Sequence, residues 1–167
     1  MNTSLNLTEI SETNNIQFGY LQPIDSGIVN IIQLLAQDPA YAGIPFERVQ
    51  EIIQTILEKR YFAAVHAETC IGVVLYVHIS CDTARNCIIE KRQPYKEEID
   101  PKGQDIFMTA ITGKHVKQLT RTFIRRCQGR LILYERHNLM NNGKFSKDFC
   151  WIDRSGVIRG ESGFSRL

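Results

Sequence analysis

The sequence has little of what marks a membrane protein, a zinc protein or a disulfide-linked protein. Its longest uncharged apolar run, CIGVVLYV, is far shorter than the roughly 20 residues of a membrane-spanning helix. Its five cysteines are odd in number and form no CxxC pair, so they indicate neither a metal site nor a disulfide framework. We find no signal peptide, and we therefore expect reduced thiols in a soluble, cytoplasmic protein that is not integral to a membrane.

The common short catalytic and nucleotide-binding motifs are missing as well. The chain contains no GxGxxG and no GxxxxGK[ST] segment, so neither a Rossmann fold nor a P-loop is supported. It also lacks a GxSxG elbow and a Cys/His nucleophile signature. Its four histidines show no metal-ligand spacing with cysteine, so we expect no metal site. A lone histidine in a strand is more often a packed or surface group than a base.

Acidic residues are absent from one stretch that is rich in basic ones. Between Lys114 and Arg130 the chain has six lysines and arginines and no aspartate or glutamate. Four of them recur at helical spacing on one face: Lys114, Lys117, Arg121 and Arg125. Such a stripe is often only the solvated side of a helix, but a stripe without acids favours an acidic partner. Nucleic acid is not favoured, because the net charge is only +2 and no exposed aromatic residues interleave.

What the sequence does contain is typical of one α+β domain. Its 167 residues, 43 % hydrophobic and 23 % charged, have the composition of an ordinary globular protein. Residues 1–20 are polar and predict a flexible N-terminal tail, and residues 21–167 predict a single domain. Apolar spacing predicts a helix over IVNIIQLLAQ and a second one from Pro45 to Arg60.

Strands and one further helix are predicted after these two helices. YFAAVHA and IGVVLYVHIS predict an antiparallel pair, and DIFMTAIT, RLILYERHN and KFSKDFCWIDR predict three more strands. The basic segment KHVKQLTRTFIRRCQ predicts a helix between the first two of those three. The polar segment CDTARNCIIEKRQPYKEE predicts a loop with at most one helical turn. This order predicts a mixed, mostly antiparallel sheet flanked by helices.

The junction between DIFMTAIT and the basic helix is the strongest local indication of a binding site. Thr112 and Gly113 end the strand, and the backbone N–H groups at the start of the helix would point at a ligand above it. Lys114 and His115 add positive charge there, so a phosphate or pyrophosphate would be well held. An ordinary strand-to-helix turn explains the same residues, and both interpretations stay open.

Several segments occur in the order and at the spacing of one known family. DPAYAGIP stands where that family has Ser-Pro-x-His-x-x-x-Pro, and ILEKRYFAAVHAETCIGVVLYVHIS matches a helix and two strands. PKGQDIFMTAITG is similar to its Asp-bearing strand and Gly-terminated turn, and GRLILYERHNLMNNGKFSKDF is similar to its Gly-Lys-Val-Ser-x-Phe region. From Gly27 to Arg154, about three quarters of the chain, the sequence thus resembles the bacterial RTX toxin-activating lysine acyltransferases, which have a GNAT-like fold.

The resemblance implies transfer of a fatty acyl group from acyl carrier protein to the side-chain amine of lysine or ornithine. The donor would be a phosphopantetheine thioester, acyl carrier protein or alternatively acyl-coenzyme A, and no tightly bound cofactor is expected. The donor's phosphate would lie at five consecutive residues: Ile111, Thr112, Gly113, Lys114 and His115. Acyl carrier protein would contact four basic residues: Lys117, Arg121, Arg125 and Arg126.

The catalytic positions depart from the pattern of that family. Its catalytic histidine falls on Tyr41 and its assisting aspartate falls near Thr109, so the family's acid–base pair is missing. A phenol is a credible acid toward a departing thiolate and a poor base at pH 7. We therefore expect Tyr41 to act as the acid and His78 as the base, with His115 behind it. A plain packing role for Tyr41 on the loop between the first two helices stays open.

The short, divergent chain with altered catalytic positions favours a small acceptor. We expect a ribosomally made peptide that is matured to a lipopeptide, and a protoxin is the other acceptor that the resemblance implies. One alternative is a GNAT enzyme that uses acetyl- or another short acyl-coenzyme A. Another is a non-catalytic module that binds acyl carrier protein or a peptide. The sequence leaves a homodimer open.

Overall fold

The chain contains both helices and strands, and their order along the sequence is that of an α+β fold with a mixed sheet. The computed structural model describes residues 6–10, 15–21 and 24–160, and side chains from residues 15–21 and 27–160. Within these residues the helices are α1 (Ile24–Gln37), α2 (Phe46–Leu57), α3 (Cys81–Glu90) and α4 (Val116–Arg126). The strands are β1 (Asn6–Ile10), β2 (Gln17–Tyr20), β3 (Tyr61–His66), β4 (Thr69–Ile79), β5 (Asp105–Gly113), β6 (Ile132–Leu139), β7 (Phe145–Ile152) and β8 (Ile158–Gly160). None of the described helices is both long enough and apolar enough to cross a bilayer.

Strand order in the sheet is the order along the chain, from β1 to β8. The pairs β1–β2, β2–β3, β3–β4, β6–β7 and β7–β8 are antiparallel. β5 and β6 are parallel, and α4 supplies the crossover connection that a parallel pair needs. Their register joins only three residue pairs, which end at Met108 and Tyr134. The prediction of a mixed, mostly antiparallel sheet flanked by helices is confirmed.

The described residues fall into two compact units. The first unit contains the described residues up to residue 75 and residues 110–123. Two helices contribute buried pairs at i, i+4 spacing, Ile31 with Leu35 and Ile52 with Ile56. The remaining members of its main core come from the strands and the segment before α1: Leu21, Tyr61, Ala63, Val65, Cys70, Val73, Leu75 and Ala110. Within this core the buried Tyr61 hydroxyl accepts a hydrogen bond from the Leu21 N–H at 2.8 Å.

The second unit contains residues 76–109 and 124–160. Its core is built from two helix residues and several strand residues: Val77, Ile79, Ala84, Cys87, Phe107, Leu133 and Phe149. Asp105, the first residue of β5, is fully buried and accepts a hydrogen bond from the Leu131 N–H at 3.0 Å. The Arg154 guanidinium lies 3.0 Å from the same carboxylate. This ion pair joins the start of β5 to the turn after β7.

The segment CDTARNCIIE forms the helix α3, where the sequence predicted a loop with at most one helical turn. The Ser80 side chain caps this helix and accepts a hydrogen bond from the Thr83 N–H at 3.1 Å. Only Thr83, Ala84 and Cys87 are buried along it, and two of these are small. Apolar periodicity is therefore weak in the sequence, and the N-cap at Ser80 is the signal that would have predicted the helix.

Part of the predicted N-terminal tail is a strand. β2 pairs with β3, and Phe18 is buried beside Phe62, with ring centroids 6.4 Å apart. Residues 1–5 and 11–14 of the predicted tail lie outside the described residues, as do residues 161–167 of the predicted single domain. Burial of Phe18 explains why this polar segment is held at the sheet.

Candidate functional site

The turn between β5 and α4 lies directly against the backbone of β4. Gly113 has φ +102°, a conformation that glycine adopts without steric cost. A Cβ atom on Gly113 would lie 2.3 Å from the Ile71 carbonyl oxygen. On the β4 side, a Cβ atom on Gly72 would lie 2.6 Å from the Lys114 carbonyl oxygen. Both positions therefore require glycine, and their close approach fixes the direction in which α4 begins.

Two of the predicted phosphate ligands are already used within the fold. The Lys114 N–H donates to the Ile71 carbonyl at 2.5 Å. The hydroxyl of the buried Thr112 donates to the Asp38 carboxylate at 2.6 Å. What the junction offers an anion is the N-terminal turn of α4, at the positive end of the helix dipole, together with the exposed side chains of Lys114 and His115.

Tyr41 lies on the loop between α1 and α2 and reaches the backbone of β5. Its hydroxyl accepts a hydrogen bond from the Ile111 N–H at 3.1 Å and lies 3.5 Å from the Ile111 carbonyl oxygen. The ring is half-buried and packs against the core of the first unit. Tyr41 and Ile111, two of the predicted site residues, are thus brought together. Tyr41 also packs as a wall residue, so its hydroxyl and its ring have separate roles in the fold.

Asp38 holds this loop and was not predicted from the sequence. Its backbone carbonyl accepts from the Tyr41 N–H at 2.9 Å, and its carboxylate accepts from the Ala40 N–H at 2.9 Å. The second carboxylate oxygen accepts from Thr112. An Asp-Pro pair directly after a helix is typical of a side-chain-stabilised turn, and this is the signal that could have identified Asp38. Its negative charge makes Thr112 a poor ligand for an anion.

An apolar cavity of about 250 Å³ lies between α1, the loop and α2. Its lining consists of Ile32, Leu35 and Ala36 from α1, residues 41–44 from the loop, and Val49 and Ile52 from α2. We call it the α1–α2 cavity. Among the described residues of its lining, the only polar side-chain atom is the Tyr41 hydroxyl, which is bonded to Ile111.

His78 and Thr109, the other two predicted catalytic residues, belong to the second unit. His78 is half-buried on β4, and its ring meets the Tyr76 ring edge-on with centroids 5.5 Å apart. Its Nδ1 lies 3.4 Å from Nη1 of Arg130, and since a guanidinium only donates, Nδ1 is the acceptor. Thr109 is half-buried on β5. A joint catalytic role for Tyr41, His78 and Thr109 stays a prediction.

The basic helix is α4, and it begins and ends two residues inside the predicted bounds. Leu119 and Phe123 are its buried residues, which leaves the basic side chains outward. Those expected to contact a partner are all exposed: Lys117, Arg121, Arg125 and Arg126. In the part of the chain that the structure describes, no group of three His, Cys, Asp or Glu side chains could hold a metal ion.

Similar proteins are found by structure and not by sequence. No family model and no curated protein matches the chain. The fold is similar to the loading GNATL domain of CurA from Lyngbya majuscula, with a TM-score of 0.55 and 12 % identity over 73 % of this chain and 65 % of that chain. It is also similar to the GphF GNAT-like decarboxylase in complex with isobutyryl-CoA, with a TM-score of 0.52 and 13 % identity over 75 % of this chain and 67 % of that one. The chain therefore has a GNAT-like fold and spans only about 65 % of the length of the CurA domain.

Proposed function

We propose that this chain is a GNAT-like N-acyltransferase. Its donor is a fatty acyl phosphopantetheine thioester on acyl carrier protein, and its acceptor is a lysine or ornithine amine of a peptide or protein. The observation that carries the proposal is the junction of β5 with α4. There a strand ends at Gly113, flat against β4, and opens a helix that has four basic residues and no acidic one.

The first turn of α4 is the proposed place for the phosphate of the donor. An N-terminal helix turn attracts anions through its N–H groups and through the helix dipole. Lys114 and His115 are exposed beside it and add positive charge. This differs from the sequence-based prediction, because the Lys114 N–H and the Thr112 hydroxyl already have partners within the chain.

The proposed reaction is an aminolysis of the thioester. The amine nitrogen attacks the carbonyl carbon, the carbon–sulfur bond breaks, the amine loses one proton and the departing thiolate gains one. Tyr41 is the proposed acid toward the thiolate, and its hydroxyl is held beside β5 by Ile111. His78 is the proposed base, a role that requires release of Nδ1 from Arg130. Thr109 lies near the position at which the resembled family has its assisting aspartate, and it takes no proton in the proposed reaction.

Acyl carrier protein is the proposed partner because the exposed residues of α4 are basic and the carrier is acidic. Complementary charges at the edge of an interface mainly speed association and fix its register. The double variant Lys117→Glu with Arg121→Glu should weaken binding of decanoyl-acyl carrier protein at least about tenfold. Lys102→Glu, an exposed charge reversal outside α4, is the control and should leave binding unchanged.

The proposal is tested by supplying donor and acceptor together. The purified chain is incubated with decanoyl-acyl carrier protein and with lysine- or ornithine-containing peptides. Mass spectrometry should then detect a decanoyl increment on the peptide. Binding of the donor without an increment on any peptide would instead support a non-catalytic carrier-binding module. Absence of both binding and transfer would refute the proposal.

A second candidate is an acyltransferase that uses a short acyl-coenzyme A. It is favoured by the similarity to GphF, whose structure contains isobutyryl-CoA. A ligand that binds only the folded chain raises its unfolding free energy by about 2.7 kcal/mol at a hundred times its Kd. Thermal unfolding with isobutyryl-coenzyme A and with decanoyl-acyl carrier protein therefore separates the two donors.

A further inference from the structure

We propose that the α1–α2 cavity binds the hydrocarbon chain of the acyl donor, with room for about ten carbons. Tyr41 forms the wall between this chain and β5. The inference rests on the proposed function and adds to it the place and the length of the acyl group.

The chemistry of the lining favours a hydrocarbon. None of the described residues that line the cavity is charged, and the only polar side-chain atom among them, the Tyr41 hydroxyl, is engaged with Ile111. An ammonium group would lose its hydration there without gaining a counter-ion, which is costly. A peptide would leave backbone polar groups without partners for the same reason. A saturated chain, in contrast, gains from each methylene that leaves water.

The shape of the cavity favours entry of a chain by its end. Leu35 and Ile52 form a floor that is buried from solvent, with 2 % and 7 % of their surfaces exposed. The outer residues Ala36, Ala42 and Gly43 are exposed and have small side chains or none. The opening is thus bounded by the smallest residues, while the larger ones lie deeper.

The volume sets the length of chain that fits. A dry protein cavity of about 150 Å³ binds benzene, with six carbons, so a cavity of about 250 Å³ has room for about ten. Acetyl and isobutyryl groups would leave most of it empty. The cavity therefore favours a medium-length fatty acyl donor over a short one.

The position of Tyr41 connects the cavity to the donor site. Its ring lines the cavity, and its hydroxyl contacts Ile111, two residues before Gly113. An acyl chain that extends from a thioester beside Ile111 would therefore meet the Tyr41 side chain, which is part of the cavity wall.

The experiment measures affinity against chain length. Dissociation constants are determined for acetyl-, hexanoyl-, decanoyl- and tetradecanoyl-coenzyme A. Affinity should rise about fourfold per added methylene within the cavity and level off after about ten carbons. Ala36→Leu adds three carbons at the opening and should shorten the preferred chain by about three carbons. Gln33→Leu introduces the same side chain at an exposed position of α1 outside the lining. It should leave the dependence of affinity on chain length unchanged.

A second variant tests the cavity in the opposite direction. Val49→Ala removes two carbons from the lining and so enlarges the cavity, which should lengthen the preferred acyl chain by about two carbons. Equal affinities across all chain lengths, or a series that Ala36→Leu leaves unchanged, would overturn the inference while the proposed function stands.

Failure of the proposed function gives a different result. In that case neither decanoyl-acyl carrier protein nor a coenzyme A thioester of any length binds, and 1-decanol alone reports on the cavity. A rise in Tm with 1-decanol that Ala36→Leu abolishes and Gln33→Leu keeps would support an alkyl-binding cavity. The absence of such a rise would overturn it.

Discussion

The phenolic oxygen of Tyr41 lies 3.1 Å from the amide nitrogen of Ile111 and 3.5 Å from the carbonyl oxygen of the same residue. A side chain from the loop between α1 and α2 thus provides the backbone N–H of a β5 residue with the hydrogen-bond partner that a neighbouring strand would otherwise provide. The register of β5 with β6 ends at Met108, three residues earlier. Tyr41 therefore supports β5 beyond its last registered pair with β6.

Tyr41→Phe keeps the ring in the cavity wall and removes the hydroxyl from Ile111. The N–H of Ile111 loses its partner, which should cost about 1–2 kcal/mol of unfolding free energy. Urea denaturation measures the loss, and Tyr95→Phe, at a side chain that is 59 % exposed, should change stability by less than about 0.5 kcal/mol. If Tyr41 is also the acid, kcat should fall at least about tenfold and its dependence on pH should change. Lost stability with an unchanged kcat would contradict the catalytic role.

Gly113→Ala should be much more damaging than Gly129→Ala, although both glycines have positive φ. Alanine in this left-handed conformation lowers the unfolding free energy by about 1 kcal/mol at either position. At Gly113 its Cβ atom would in addition lie 2.3 Å from the Ile71 carbonyl oxygen, while at Gly129 it meets nothing within 4 Å. Thermal unfolding should therefore show a further loss of about 2 kcal/mol for Gly113→Ala. Equal losses for the two variants would contradict the close contact of the turn with β4.

Thiol labelling should identify Cys81 as the fast-reacting cysteine, because it is exposed. Burial raises the pKa of Cys70 to about 12 and the pKa of Cys87 and Cys127 to about 11. At pH 8 only about one Cys70 thiol in 10,000 is then the reactive thiolate. Labelling with a disulfide reagent followed by peptide mapping measures the order, and Cys81→Ser should remove the fast phase. Fast labelling of Cys70 in the folded chain would contradict its burial.

The bidentate pair of Arg92 with Glu98 should make stability depend on acid pH. The guanidinium nitrogens lie 2.7 and 2.9 Å from the carboxylate oxygens, and this pairing lowers the pKa of Glu98 to about 2. A lowered pKa in the folded state stabilises above the ordinary pKa near 4.5, and this contribution is lost as pH falls toward 2. Glu98→Gln should lower Tm at pH 7, and the difference from the unaltered chain should shrink between pH 4.5 and 2. Glu97→Gln, at the neighbouring exposed residue, should leave Tm unchanged at every pH.

The strands and most helices were predictable because their apolar residues follow a regular period. Ile31 with Leu35 and Leu119 with Phe123 show the i, i+4 spacing of one buried helix face. The helix α3 was not, because its stability depends on a cap at Ser80 and on small buried residues that carry little pattern. The spacing of apolar residues along the sequence predicts which helix face is buried, but it does not predict whether the helix is capped.

The candidate site was predictable only in part. Gly113 before a basic segment indicates a turn that opens a helix, and the structure has that turn. The use of the Lys114 N–H by Ile71 and of the Thr112 hydroxyl by Asp38 depends on residues 43 and 74 positions away in the sequence. No period or motif encodes such distant partners. The cavity was missed for the same reason, because its lining combines two helices and the loop between them.

The ion pair of Asp105 with Arg154 limits how far the chain can be shortened from its C-terminal end. A protein fragment that stops before Arg154 would leave a fully buried carboxylate with one backbone donor and no cation. An unpaired buried charge typically costs about 3–5 kcal/mol, a large share of the stability of a small domain. Fragments for crystallisation or for split-protein reporters should therefore keep Arg154, or replace Asp105 by asparagine in the same step.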